Sequence, residues 1–255
     1  MYLIHLLYFV KIHENYLLLA SMTKEQQLHY YKEQSKILIA TDCIIFGFDN
    51  QSIKLLIFKR RVAPFKGEWS LIGSFVKNDE SVNNAAKRVL TDITGLENVF
   101  MKQLKVYGSV DRDPGARCIT VGQYALIRIE DQDIELVEKH GAVWHDLDQM
   151  PNLVLDHNQL VADALVQLRL QAAYQPIGFE LLPEKFTIPS LQKLYESIYQ
   201  KTFDDRNFRK KIIALDVLTK LEEKDKTTSK KGAFLYKFNR KKYDTLVNSG
   251  INFKL

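Results

Sequence analysis

Residues 73–96 read GSFVKNDESVNNAAKRVLTDITGL. Within them Val82, Ala85, Ala86, Val89, Leu90 and Ile93 recur at helical spacing, so one face of the segment is apolar. Gly95 closes the run, and glycine takes the left-handed conformation that stops a helix without a side-chain penalty. The pattern predicts a helix over Ser81 to Thr94. Glu80, Arg88 and Asp92 read as an ion-pair set that anchors the loop before it.

Upstream, Lys36 to Phe48 (KILIATDCIIFGF) and Ile53 to Arg60 (IKLLIFKR) are apolar, β-branched runs joined by the polar Asp49-Asn50-Gln51-Ser52. That is a hairpin signal. A loop containing Pro64 and Gly67 leads to Trp69-Ser70-Leu71-Ile72-Gly73. Downstream, strand patterns return at Leu104 to Val110, Ile119 to Ile129 and Ala142 to Trp144, and a second helix runs from about Asn158 to Ala173. Asp156 before it is expected to cap that helix, with His157 beside it. Strands mixed with two helices predict one α/β domain over residues 30–173.

The quoted segment resembles the Nudix box, G-x5-E-x7-R-E-U-x-E-E-x-G-U with U apolar. The box glycine falls on Ser74, its first glutamate on Glu80, its arginine on Arg88 and its closing glycine on Gly95. The resemblance implies a Nudix fold over about residues 36–173, a mixed sheet sandwiched by helices. In the family, carboxylates of the helix hold Mg²⁺, and a hard cation needs such oxygen ligands. The three positions for those acids are Val89, Asp92 and Ile93 here, so two oxygens are replaced by hydrocarbon. No metal, no cofactor and no catalytic residue is expected, and the domain reads as a hydrolase that has lost its reaction. Asp111-Arg112-Asp113-Pro114-Gly115-Ala116-Arg117 resembles the loop that follows the box in ADP-ribose-type members. Arg60, Phe65, Trp69, Asp111, Arg112 and Asp113 are therefore the candidate effector-binding residues. A plain surface turn accounts for the same loop equally well.

Beyond Tyr174 to Pro183, read as a linker from Pro176, Gly178 and Pro183, the pattern changes. Thr187-Ile188-Pro189-Ser190 opens a helix, Thr202-Phe203-Asp204-Asp205 makes a turn with Asp204 as cap, and Arg206 to Leu218 forms a second helix. Lys220 to Asp225 and Ala233 to Asn239 pair around a basic loop. Two helices, a short turn and a hairpin predict a winged helix-turn-helix over residues 184–255. Phe208, Ile212 and Leu215 face inward, which leaves Arg206, Asn207, Arg209 and Lys210 outward near the start of the second helix. Such helices read base edges with those first residues, arginine pairing with guanine and asparagine with adenine. Ser190 at the first helix and Lys230 and Lys231 on the wing complete the candidate DNA contacts. A solvated charged surface is the plainer reading of the same lysines.

Charge supports the DNA reading. The chain carries +5 overall, but residues 180–255 hold 17 Lys and Arg against 10 Asp and Glu, a local +7 beside a slightly acidic remainder. Two cysteines, Cys43 and Cys118, exclude a disulfide-rich scaffold and a four-cysteine zinc site. The apolar stretch from Met1 to Ser21 is broken by His5 and Lys11, too short to span a bilayer, with its charge after the apolar run instead of before it. Residues 1–29 are expected to be an extension outside the fold, and the protein cytoplasmic with no membrane partner.

A degenerate Nudix domain before a winged helix resembles the Nudix-related transcriptional regulators, the NrtR family. Leu181 to Thr187 and Asp205 to Lys211 are close to its C-terminal pattern. The resemblance implies a homodimeric repressor whose Nudix pocket binds an effector and whose winged helices grip a palindromic operator in double-stranded DNA. The expected effector is L-arabinose, as in the AraR-type branch that controls sugar catabolism, with ADP-ribose and NAD metabolism second. A divergent active hydrolase and a scaffold without a DNA target are the competing functions.

Overall fold

The computed structural model describes residues 23, 31–32, 34–175, 179, 181–227 and 231–248. The expected N-terminal extension, Thr23 apart, lies outside the described residues. Strand β1 (Leu38–Phe48) organises the first half of the fold. It pairs antiparallel with β2 (Ile53–Lys59) through its second half and antiparallel with β4 (Ile72–Phe75) through its first. Along its whole length it runs parallel to β6 (Cys118–Arg128). A central strand of this kind is covered on both faces, which is why its second half, Cys43 to Phe48, is continuously apolar instead of alternating. The sheet is completed by β3 (Trp69–Ser70) and β7 (Ala142–Asp146) on β2, and by β5 (Phe100–Tyr107) on β6.

Alternate residues of these strands feed two cores. Cys43, Ile45, Leu56, Ala125 and Ile127 face helix α1 (Val82–Thr94), which buries Ala86, Val89 and Leu90 against them. Ile44, Phe46, Phe48, Leu55, Tyr124 and Leu126 face helix α3 (His157–Tyr174), whose Leu160, Val161, Ala164 and Leu168 close the other side. The expected helix α1 forms, with the Ser81 hydroxyl accepting from Asn84 N at 3.2 Å and Gly95 at φ 71°. Sequence reading overlooked helix α2 (Ile134–His140), seven residues long with only Val137 buried. So short a segment shows too little periodicity to register.

The second half is a winged helix. Helices α4 (Ile188–Tyr199) and α5 (Asp205–Ala214) are followed by β9 (Leu218–Asp225) and β10 (Ala233–Phe238), with β8 (Phe186–Thr187) as a third strand on β10. The expected second helix ended at Leu218; it ends four residues earlier, because Asp216 at φ 51° turns the chain and Leu218 opens a strand. A C-terminal helix, α6 (Arg240–Asn248), follows the hairpin. The expected linker is corrected as well. Tyr174 belongs to α3, and Phe179, Leu181 and Leu182 are buried in the core that α3 shares with the winged helix. The described residues from Leu38 onward thus form one compact unit. No helix among the described residues is long and apolar enough to cross a membrane.

Candidate functional site

A cleft of about 310 Å³ opens between the ends of β1, β2 and β4 and the loop after β5. Its floor is charged. Arg112, almost fully buried, donates from Nε and Nη2 to both oxygens of Asp156 at 3.0 and 2.7 Å, and its Nη2 stands 3.4 Å from Asp42 Oδ2. Burial opposes the charge on Arg112, but the hydrogen bond to Asp156 and the fields of Asp42 and Asp156 outweigh it and raise its pKa. His157 Nδ1 accepts from Leu71 N at 3.1 Å, which places the ring proton on Nε2, 3.7 Å from Asp42 Oδ1. Burial holds that imidazole neutral against the pull of the two carboxylates. Gly73 is required here: a Cβ would meet Asp42 Oδ1 at 2.3 Å. One arginine shared between two carboxylates leaves the floor net negative, with acceptors for hydroxyl donors, while Arg60 at the rim supplies a cation.

Three of the six candidate effector residues line this cleft: Arg60, Arg112 and Asp113. Trp69, Phe65 and Asp111 do not. Neighbours on a strand point to opposite faces, so Ser70 takes the cleft while Trp69 packs edge-on against His145 with ring centroids 4.9 Å apart. Phe65 (φ 64°) sits on an exposed loop, and Asp111 is exposed at a turn. The expected side-chain cap by Asp156 on α3 does not form, because Arg112 claims both of its oxygens. Asp42 and Ser70 escaped the sequence reading, and His157 was read only as part of a capping pair with Asp156. A usable signal existed for Asp42, an acid inside an otherwise apolar central strand.

The metal positions do not fit a divalent cation. Val89 is buried in the α1 core and Ile93 packs against it. Glu80 gives both oxygens to Arg88, at 2.6 Å to Nη2 and 3.0 Å to Nε, and its Oε1 also accepts from Lys77 N. Those bonds hold its pKa down to about 2, the Arg88 hydrogen bond foremost. Asp92 stands at the edge of the same arginine, 4.0 Å from Nη1. Among the described residues no three His, Cys, Asp or Glu side chains gather closely enough to hold a metal ion.

On the winged helix, Asp204 accepts from Asn207 N at 2.9 Å and starts α5 as expected. Phe208 and Ile212 are buried, whereas Arg206, Asn207, Arg209, Lys210 and Lys211 are exposed. Part of the local charge is compensated. Lys185, Lys237, Arg240 and Lys242 pair with Glu223, Glu184, Asp244 and Asp216. Among the described residues no carboxylate lies within ion-pair distance of Arg206, Arg209, Lys210 or Lys211. These four exposed cations on α5 are thus uncompensated, as are Lys193 on α4 and Lys220 and Lys224 on β9. Ser190 is half-buried at the opening of α4, Lys231 is exposed on the wing, and Lys230 lies outside the described residues.

The family model of the NUDIX domain matches residues 36–164, and that of the NrtR DNA-binding winged helix domain matches residues 178–238. The chain belongs to the NrtR family of Nudix-related regulators. It is 29% identical over 211 residues, 81% of its length and 84% of the relative's, to the ADPR responsive transcriptional repressor NtrR of Acinetobacter baylyi. It is also 32% identical over 140 residues, 55% of its length and 80% of the relative's, to the ADP-ribose pyrophosphatase of Methanocaldococcus jannaschii. The crystal structure of Shewanella oneidensis NrtR complexed with a 27mer DNA superposes at a TM-score of 0.70, with 28% identity, covering 81% of this chain and 95% of that one. The protein is thus an NrtR-type DNA-binding transcriptional regulator with a Nudix domain.

Proposed function

We propose that this NrtR-family chain is a cytoplasmic, homodimeric repressor released from a palindromic operator by ADP-ribose bound, and not hydrolysed, in the Nudix cleft. The observation that carries the reading is the set of unpaired cations on the outer face of α5, at the end of the helix from which winged helices read bases. A single chain offers one such helix and reads one half-site, so a palindrome calls for two copies. L-arabinose, the first expectation from the sequence, has no support from the relatives, both of which carry ADP-ribose or its abbreviation in their names. Failure of hydrolysis follows from the α1 face, where Val89 and Ile93 stand in place of carboxylates.

Gel-shift titration on the natural promoter region tests the DNA claim: Arg206→Ala and Arg209→Ala should each weaken binding, by about 1–3 kcal/mol for a base-reading arginine. Unchanged affinity in both removes the reading. Adding ADP-ribose to the complex should release the DNA while L-arabinose leaves it bound. Turnover of ADP-ribose with Mg²⁺ at an enzyme-like rate would overturn the non-hydrolytic part alone.

A further inference from the structure

A second cleft, of about 370 Å³, lies away from the effector cleft, where three parts of the chain meet. Asn50 and Gln51 of the β1–β2 turn form one wall, Ser190 and Lys193 of α4 another, and Asp225 and Thr227 at the tip of β9 the third. Lys193 Nζ is held at 2.8 Å by Gln51 Oε1. That partner is neutral, so the lysine is positioned without losing its charge. Asp225 is turned toward its own loop, accepting from Thr227 N at 2.8 Å. Lys185 on the same walls is paired with Glu223. A neighbouring cleft of about 280 Å³ between α4 and α5 shares Pro189 and Lys193 with the first and reaches Arg209. Glu196 and Asp205 also lie on it and keep their charge, each accepting from Gln192 Nε2, at 3.1 and 2.8 Å. The surface therefore runs unbroken from the reading helix, past Lys193, to the wing and the turn of the Nudix sheet.

We propose that this surface seats the sugar–phosphate backbone of a bound duplex, and that the β1–β2 turn of the Nudix domain is part of the DNA interface, with Gln51 presenting Lys193 to a phosphate. The proposal rests on the DNA-binding reading above. A lysine meeting phosphate acts as a point charge, and each such contact releases about one counterion, so its signature is a change in salt dependence without a change in sequence preference. A carboxylate in place of the Gln51 amide would neutralise Lys193 and repel the phosphate from within the Nudix domain itself.

The test is binding of the full chain to a mixed-sequence duplex, followed by fluorescence anisotropy across a salt series, for wild type, Lys193→Ala, Gln51→Glu and Arg209→Ala. Both Lys193 and Gln51 are exposed, so the variants should keep the wild-type melting temperature. Lys193→Ala should weaken binding several-fold and lower the slope of log affinity against log salt by about one. Gln51→Glu should weaken binding as well, although it leaves every residue of the winged helix in place. Wild-type affinity and slope in both variants, with a loss in Arg209→Ala, would overturn the proposal and leave the DNA reading standing. No loss in any of the three would overturn both.

Discussion

His157 is held neutral by its place at the foot of α3, buried between Asp42, Asp156 and Arg112, with Arg60 beyond. Because Nδ1 accepts from Leu71 N, a second proton could enter only by breaking that bond. The folded state thus binds the proton more weakly than the unfolded chain, whose imidazole titrates near 6.5. The sign follows: the stabilisation is complete above pH 6.5 and is lost as the pH falls below it toward the lowered folded value. His157→Asn keeps an acceptor for Leu71 and cannot titrate. Its melting temperature should fall less than that of wild type between neutral and mildly acidic pH, and an equal fall would show that His157 does not carry the effect. The same cluster shows how far single residues could be read from the sequence. Glu80, Arg88 and Asp92 were legible as an ion-pair set because spacing alone brings them together. Arg112 was legible as a candidate but its partners were not, since sequence does not say that Asp42 and Asp156, far away along the chain, converge on it. Trp69 and Ser70 exchange places between cleft and core on a one-residue difference in facing, which a two-residue strand is too short to declare.

At the scale of elements, helix α1 ends where Gly95 adopts φ 71° and its N–H returns to Thr91 O at 2.8 Å. A side chain there is strained by its backbone and also crowded, with Asp133 Cβ 3.0 Å from the added carbon. Gly95→Ala should cost about 1–2 kcal/mol in urea unfolding; a neutral result would mean that the α1–α2 junction relaxes without strain. Elements with long periodic runs, β1, β2, β6, α1 and α3, were legible within a residue or two at their boundaries. Those defined by a turn were not: α5 stops short because of Asp216, and no pattern in the sequence announces a left-handed aspartate. The edge strand β5 illustrates a second limit. Its exposed Lys105 and the register shift between Gln103 and Val106 disfavour pairing with another chain, features that look like noise in a strand pattern until the edge is known.

For the whole molecule, the consequence of burying Phe179, Leu181 and Leu182 is mechanical. Arg169 of α3 donates from Nε to Ile198 O at 3.0 Å, Tyr199 OH donates back to Arg169 O at 3.0 Å, and Ile53 N donates to Ser197 Oγ at 2.5 Å. The α3 core continues without a break through Leu181 and Leu182 into Leu191, Tyr195 and Phe208. Both tryptophans, Trp69 and Trp144, lie in the Nudix half, so their fluorescence reports that half alone while far-UV ellipticity reports the whole. The two signals should trace one coincident denaturant transition. Separate midpoints would show that the winged helix unfolds independently. A reader fixed so firmly to its sensor leaves little play at a hinge within one chain, and a proposed response to effector is then carried by the arrangement of two copies.

The hydrocarbon pair on α1, Val89 and Ile93, also bears on what a cell would learn from such a protein. A hydrolase destroys what it binds, so its occupancy follows the rate of supply. On the proposal above, the cleft returns its ligand unchanged, and its occupancy tracks the standing level of that ligand. Its answer then persists for as long as the level does and fades by dissociation alone.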